Sequence, residues 1–223
     1  MKITFISDTH NTNLDRVSED LPGGDILIHC GDVSSRGYYE EIAPFLRWFD
    51  KQSYRYKIFI AGNHDWLFED RTASIAKELL KQFPDIIYLQ DSFVMVEGIK
   101  IYGSPWQPEF YNWAFNLPRN GEKLQEKWDM IPEDTDILIT HGPPFGTLDT
   151  VIDKRDIHLG CELLAERIEK IKPKIHVSGH IHTGRGMTEK NGIIYINASL
   201  LNEQYRYEFK PITIEYEEVK LKN

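Results

Sequence analysis

At 223 residues, 41% hydrophobic and 27% charged, the chain has the length and composition for one domain with a full core, and a single domain over 1–223 is expected. A net charge of −9 disfavours duplex nucleic acid as the main partner, because that needs a basic face, but leaves room for a nucleotide or short single strand held at a metal site. Two cysteines, Cys30 and Cys161, are too few for a disulfide scaffold; with no signal peptide and no apolar run of membrane-spanning length, a cytoplasmic location and no membrane partner are expected.

Lys2 to Ser7 reads as a buried strand that ends in Asp8-Thr9-His10, where residues two apart point the same way. Residues 11–24 are polar, close on Pro22-Gly23-Gly24 and read as a loop. Asp25 to Cys30 is the second strand, followed by Gly31-Asp32; His29, inside it, reads as a packed core histidine. Tyr38 to Gln52 carries Ile42, Phe45, Leu46 and Phe49 at helical spacing, and Arg55 to Ala61 is a third strand. It opens into Gly62-Asn63-His64-Asp65, which joins an oxygen ligand, a group able to move a proton near pH 7, and a carboxylate able to orient it. A helix is expected over 70–83, stopped by Pro84, then a short strand at Ile86 to Leu89 and a hairpin turning at Glu97-Gly98.

Residues 104–118 are unusual: Trp106, Phe110, Tyr111, Trp113 and Phe115 share a loop with three prolines. Such a loop either packs on the core or forms an aromatic wall beside a site. A helix at Lys123 to Met130 and a strand at Asp136 to Thr140 lead to His141-Gly142-Pro143-Pro144. Gly160 to Lys172 is an amphipathic helix closed by Pro173, and Lys174 to Ser178 is a strand leading to Gly179-His180-Ile181-His182. Ile193 to Asn197 and Ile212 to Tyr216 complete the strands.

Five clusters thus follow five strands: Asp8/His10, Asp32, Asn63/His64/Asp65, His141 and His180/His182. Each alone is an ordinary turn. Together they offer carboxylate, amide and imidazole, a mixture suited to manganese, iron, zinc, cobalt or nickel rather than to an all-oxygen calcium or magnesium site. The order D-x-H, G-D, G-N-H-D, H-G, G-H-x-H resembles the calcineurin-like metallophosphoesterase superfamily. Gly103 to Pro108, Phe115 to Arg119, Asp136 to Pro144, Gly160-Cys161 and Tyr195 to Ser199 are closest to its metallophosphoesterase-domain-containing (239AB-type) branch.

That resemblance implies an α/β fold, a four-layer α-β-β-α sandwich of two mixed sheets flanked by helices. It implies two divalent ions, manganese first. Asp8, His10 and His182 would hold one, Asn63, His141 and His180 the other, and Asp32 would bridge them. His64 would be a proton donor or phosphate contact that binds no metal, with Asp65 as its carboxylate partner. The implied activity is phosphoester hydrolysis by attack of a metal-bridging hydroxide. Arg36, four residues beyond Asp32, is a candidate substrate clamp, while Ala61 stands where the family's protein phosphatases carry a second arginine. One clamp suits a singly charged diester better than a dianionic monoester. Small phosphodiesters, nucleotide-like ones included, are therefore the expected substrates, ahead of a phosphomonoesterase or a binding protein with little turnover. Lys154, Arg155 and Arg185 are further cations that could reach a substrate.

Overall fold

The computed structural model describes residues 1–69, 72–151 and 157–216. Alternation along the strands accounts for the layers. Ile3 and Phe5, Ile26, Ile28 and Cys30, and Ile58 and Ile60 point one way from the first sheet. Ile99 and Ile101, Ile137 and Ile139, and Ile175 and Val177 point one way from the second, and all of these meet in a single buried core. The intervening Leu27, Phe59, Tyr102 and Leu138 point outward and join the apolar faces of the helices. This is the expected sandwich of two mixed sheets flanked by helices.

In the first sheet the spatial order is Ile212–Glu215, Lys2–Ile6, Gly24–Cys30, Tyr54–Ile60 and Ile86–Tyr88; only Ile212–Glu215 runs antiparallel to its neighbour. In the second it is Gly186–Lys190, Ile193–Asn197, Ile175–Ser178, Ile137–Thr140, Ile99–Ser104 and Ser92–Val96, with the two outer strands antiparallel and the inner four parallel. The parallel strands bring five carboxyl ends, and hence all five polar clusters, to one rim, the usual place for a site in such sheets. The sheets are tied there by a bridge between Ser7 and Ser199 and by Leu200 N–H donating to Ser7 O at 3.1 Å.

The helices are α1 (Leu14–Asp20), α2 (Tyr39–Asp50), α3 (Ala73–Leu80), α4 (Glu122–Asp129) and α5 (Glu162–Ile171). The residues read as a polar loop, 11–24, contain α1. It buries only Val17 and is held by partners distant in sequence: Trp48 Nε1 donates to Ser18 Oγ at 2.8 Å and Tyr207 Oη to Asp20 Oδ2 at 2.6 Å. One apolar residue leaves no periodicity to read. The helix expected over 70–83 is observed as α3; residues 70 and 71 lie outside the described residues. Among the described residues no helix is long and apolar enough to cross a membrane.

His29 is a core histidine as expected, fully buried on Thr9 Oγ1 at 2.9 Å and set edge-on to Phe45. His176 pairs in the same way with Thr140 Oγ1 at 2.8 Å. Burial pushes both imidazoles down to about 3, so both are neutral in the folded chain while the unfolded chain takes protons near 6.5. Their contribution to stability is full above that value and is lost as pH falls toward 3. Each should cost about 2–3 kcal/mol by pH 4.5. Urea midpoints measured with chelator from pH 7 to 4.5 should fall steeply, and more shallowly in a His29→Gln/His176→Gln variant.

Candidate metal centre

The backbone turns sharply where three of the five cluster-bearing strands end. Asp8, His10, Asp32 and His180 have φ of 55°, 45°, 55° and 66°, in the left-handed region that Asp and His tolerate better than most residues. This reversal, repeated at three loop tips, turns short side chains back over the rim. Gly179 is required by close approach: a Cβ there would strike Ser7 Oγ and Asp8 Oδ2.

The side chains converge. His10 Nε2 lies 3.7 Å and His141 Nε2 3.3 Å from Asp32 Oδ2. His182 Nε2 is 3.4 Å from Asp8 Oδ1, and His141 Nε2 is 3.0 Å from Asn63 Oδ1. Asp8, His10 and His182 form one group with ligand atoms within 4.8 Å of each other, and Asp32, His141 and His180 form another. His10, Asp32 and His64 form a third that overlaps both. All of the residues expected to ligate metal from the sequence are therefore brought together.

The hydrogen-bond partners prepare the imidazoles. His10 Nδ1 donates to Ser34 O at 3.1 Å, His141 Nδ1 to Cys30 O at 2.9 Å and His182 Nδ1 to Asn202 O at 2.9 Å. A carbonyl accepts only from N–H, so each Nδ1 keeps its proton and Nε2 is the nitrogen that offers a lone pair toward the rim once it is deprotonated, the usual support for a metal-binding histidine. Buried His10 Nε2 has no hydrogen-bond partner. Asp8 is held from behind by Ser199 Oγ at 2.8 Å and by His180 N–H at 3.1 Å to both oxygens.

Charge points the same way. Burial opposes ionisation of Asp8 and Asp32, yet the surrounding histidines, His182 for Asp8 and His141 for Asp32, hold both below the usual carboxylate range. Burial disfavours charged His141 and His182, but Asp32 and Asp8 respectively carry them up to about 9. Without a cation the cluster therefore keeps protons on two imidazoles to balance two buried carboxylates. A divalent ion offers the same compensation and displaces those protons. The donor set, the orphaned Nε2 and the charge balance all fit metal.

Two expectations are corrected. Asp65 does not partner His64. Its fully buried carboxylate accepts from Val33 N–H, Ser34 N–H and Gly62 N–H at 3.1, 3.0 and 2.8 Å and from Ser34 Oγ at 2.7 Å, pinning the Asp32 loop to the His64 loop. Burial, with the Asp32 charge, raises it to about 6. His64 is oriented instead by Ser35 O, which accepts from Nδ1 at 2.6 Å, while its backbone N–H donates to Asp32 Oδ1 at 2.9 Å. Arg36 does not line the cavity into which the cluster opens. It is exposed on a neighbouring groove. A turn that brings distant loops into register carries no sequence mark, so both errors lie in tertiary placement.

The cavity, about 740 Å³, is lined by Asp32, Asn63, His64, His180 and His182 on one side and by Phe110, Tyr111 and Trp113 on the other. Both readings of the aromatic loop hold for different residues. Trp106 and Phe115 are buried in the core. Trp113 packs on His64 with ring centroids 4.1 Å apart, Phe110 lies 5.0 Å from His180, and Tyr111 is 93% exposed at the mouth. Ala114 N–H donates to Asn63 O at 3.0 Å and fastens the loop to the centre. Arg185 is turned away, over Phe209 and onto Lys210 O; Lys154 and Arg155 lie outside the described residues.

Two cavity residues were not anticipated. Tyr205 (φ 57°) sets its ring 5.0 Å from His10 and 5.3 Å from His182. It sits in a polar tip that gave no signal. Arg119 reaches the cavity while bound to Gly160 O, Leu159 O and Glu162. The Phe115 to Arg119 stretch carried the branch resemblance and could have pointed to it.

Comparison with known proteins agrees with this geometry. The family model described as calcineurin-like phosphoesterase matches residues 1–184. Human metallophosphoesterase domain-containing protein 1 is 44% identical over 96% of this chain and 70% of its own length. The Caenorhabditis elegans UPF0046 protein K07C11.7 is 34% identical over 95% and 74%. Among solved structures, TT1561 of Thermus thermophilus superposes with a TM-score of 0.59 at 14% identity, over 88% of each chain, a likeness of fold. With Asp and His side chains grouped at the strand ends so that they could hold a metal, and a family model covering most of its length, this chain belongs to the calcineurin-like phosphoesterases, metal-dependent hydrolases of phosphoester bonds.

Proposed function

We propose that the chain is a dinuclear-metal phosphodiesterase acting on nucleotide-like or other small phosphodiesters. The observation that carries this reading is Asp32 Oδ2, which faces Nε2 of His10, His141 and His64 at 3.7, 3.3 and 3.9 Å. It thus stands between the two ligand groups as a shared oxygen. Asp8, His10 and His182 would hold one ion and Asn63, His141 and His180 the other. Manganese is the first candidate, ahead of iron, zinc, cobalt and nickel, on the donor set. When bound, such ions neutralise a phosphoryl oxygen and lower the pKa of a coordinated water.

The chain's own groups set the rest. Two carboxylates, Asp8 and Asp32, against two dications leave a net positive site that draws an anion. Arg119 already serves Glu162 and two carbonyls, so little further cationic charge faces the substrate, which suits one negative charge better than two. Phe110, Tyr111 and Trp113 offer flat faces to a base or aromatic ester. His64, held on Ser35 O, keeps Nε2 toward the cavity, where it can give a proton to a leaving oxygen. With added Mn²⁺, kcat/KM for bis-p-nitrophenyl phosphate should exceed that for p-nitrophenyl phosphate by about ten-fold or more, a difference of about 1.4 kcal/mol in transition-state stabilisation. The reverse order would favour a phosphomonoesterase. Inertness toward both with metal bound would favour a binding protein.

A further inference from the structure

We propose that the groove beside the metal cavity is a second subsite, built to receive the leaving half of a dinucleotide that carries its own terminal phosphate. The proposal rests on the phosphodiesterase reading and narrows its substrate class.

The groove, about 600 Å³, is lined by Arg36, Tyr38, Tyr39, Trp66 and Trp113 among others, and Trp113 lines the metal cavity as well. Because Trp113 also packs on His64, one indole ring borders both the groove and the imidazole assigned to the leaving oxygen.

The groove wall is fixed to the centre by the backbone. Ser35 O accepts from His64 Nδ1 at 2.6 Å. Gly37 N–H donates to Ser34 Oγ at 2.9 Å, and that hydroxyl donates to Asp65. A Cβ on Gly37 (φ 70°) would lie 2.8 Å from His64 O and strike Trp66 N, so the two loops touch backbone to backbone. On the far side Glu41 Oε2 accepts from Arg36 N–H at 2.9 Å and Tyr38 N–H at 3.3 Å. Arg36 and Tyr38, either side of this anchor, are therefore held at a set place relative to His64. Their side chains are left exposed, Tyr38 by 58% and the neighbouring Tyr39 by 44%.

The chemistry of these groups selects the occupant. Exposed tyrosine faces stack a base without regard to sequence. A guanidinium pairs with phosphate through parallel N–H donors. An arginine beside two tyrosines on a chain of net charge −9 is a local complement to an aromatic anion. Arg36 therefore serves a second phosphate rather than the one being cleaved, which explains why it misses the metal cavity.

The test uses the full chain loaded with Mn²⁺ and three probes: the thymidine dinucleotide TpT and its two terminally phosphorylated forms, pTpT and TpTp. One phosphorylated form should show a kcat/KM about ten-fold above TpT, expressed mainly in KM. Arg36→Ala should bring that ratio to about one, and Arg36→Lys should restore part of it. Tyr38→Ala should raise KM for all three by about five-fold or more, the lower end for a lost stacking face. Equal rates on all three probes, or an undiminished ratio in Arg36→Ala, would overturn the subsite. Bis-p-nitrophenyl phosphate separates the two levels of inference. Inertness toward it would sink the phosphodiesterase reading itself, whereas turnover of it with indifference to the terminal phosphate would sink the subsite alone.

Discussion

Replacing Asp32 by Asn should strip both metal positions at once, with the fold retained. Asp32 Oδ1 accepts the backbone N–H of His64 at 2.9 Å, and Oδ2 faces three imidazole nitrogens. In the Asp32→Asn variant the remaining carbonyl oxygen must keep the His64 bond, because the amide NH₂ cannot accept it. The NH₂ then takes the place of Oδ2, turning two N–H donors toward the ions the carboxylate would share. The carboxylate's charge is lost as well, and with it the main influence that holds buried His141 protonated when no cation is present. The affinity for Mn²⁺ should fall by more than the about 10- to 100-fold that loss of a supporting partner costs a metal site. Metal content after dialysis and calorimetric titration give the measurement, with far-UV circular dichroism as the check on folding. Retention of two ions per chain at unchanged affinity would remove Asp32 from the bridging position.

His64→Ala should behave in the opposite way, keeping its metal and losing its rate. The imidazole meets the cluster at Asp32 Oδ2, 3.9 Å away, and edge-on at the His10 ring, 4.7 Å between centroids, while Ser35 O holds its other nitrogen. Its removal leaves every proposed ligand in place. The loss in kcat should be about 10²- to 10⁴-fold, the range for a positioned general acid. The size of the loss should track the leaving group. An alkoxide departs poorly without a proton and should suffer most, whereas p-nitrophenolate leaves well unaided and should suffer least. A series of aryl and alkyl diesters would show this as a steeper dependence of rate on leaving-group pKa in the variant. Equal losses across the series would point to a phosphate contact, and loss of an ion would make His64 a ligand.

Local signals carried all but one strand of the two large sheets and the four longer helices. Ile3 and Phe5, and Ile137 and Ile139, alternate with outward residues as two-sided burial requires, and Phe45, Leu46 and Phe49 mark the buried stripe of α2. The strand Gly186–Lys190 was not read, although a signal existed: Asn191 and Gly192 have φ of 54° and 78°, as the two-residue turn of a hairpin demands. Helix α1 had no comparable signal, because Trp48 and Tyr207 hold it from outside.

The composition of the centre was determined by sequence alone. Asp, Asn and His at the ends of apolar runs can do little else in such number, and their chemistry limits the ions they accept. What those residues face was decided by the folded chain. Asp65 and Arg36 stand within a few positions of His64 and Asp32, yet one is turned inward to tie two loops together and the other outward onto a separate groove. Side-chain direction at a loop tip depends on which neighbouring loop supplies N–H donors and carbonyls, and that neighbour is tens of residues away. Residue type at the strand ends therefore marked the candidate ligands, and only packing between loops decided what each of them faces.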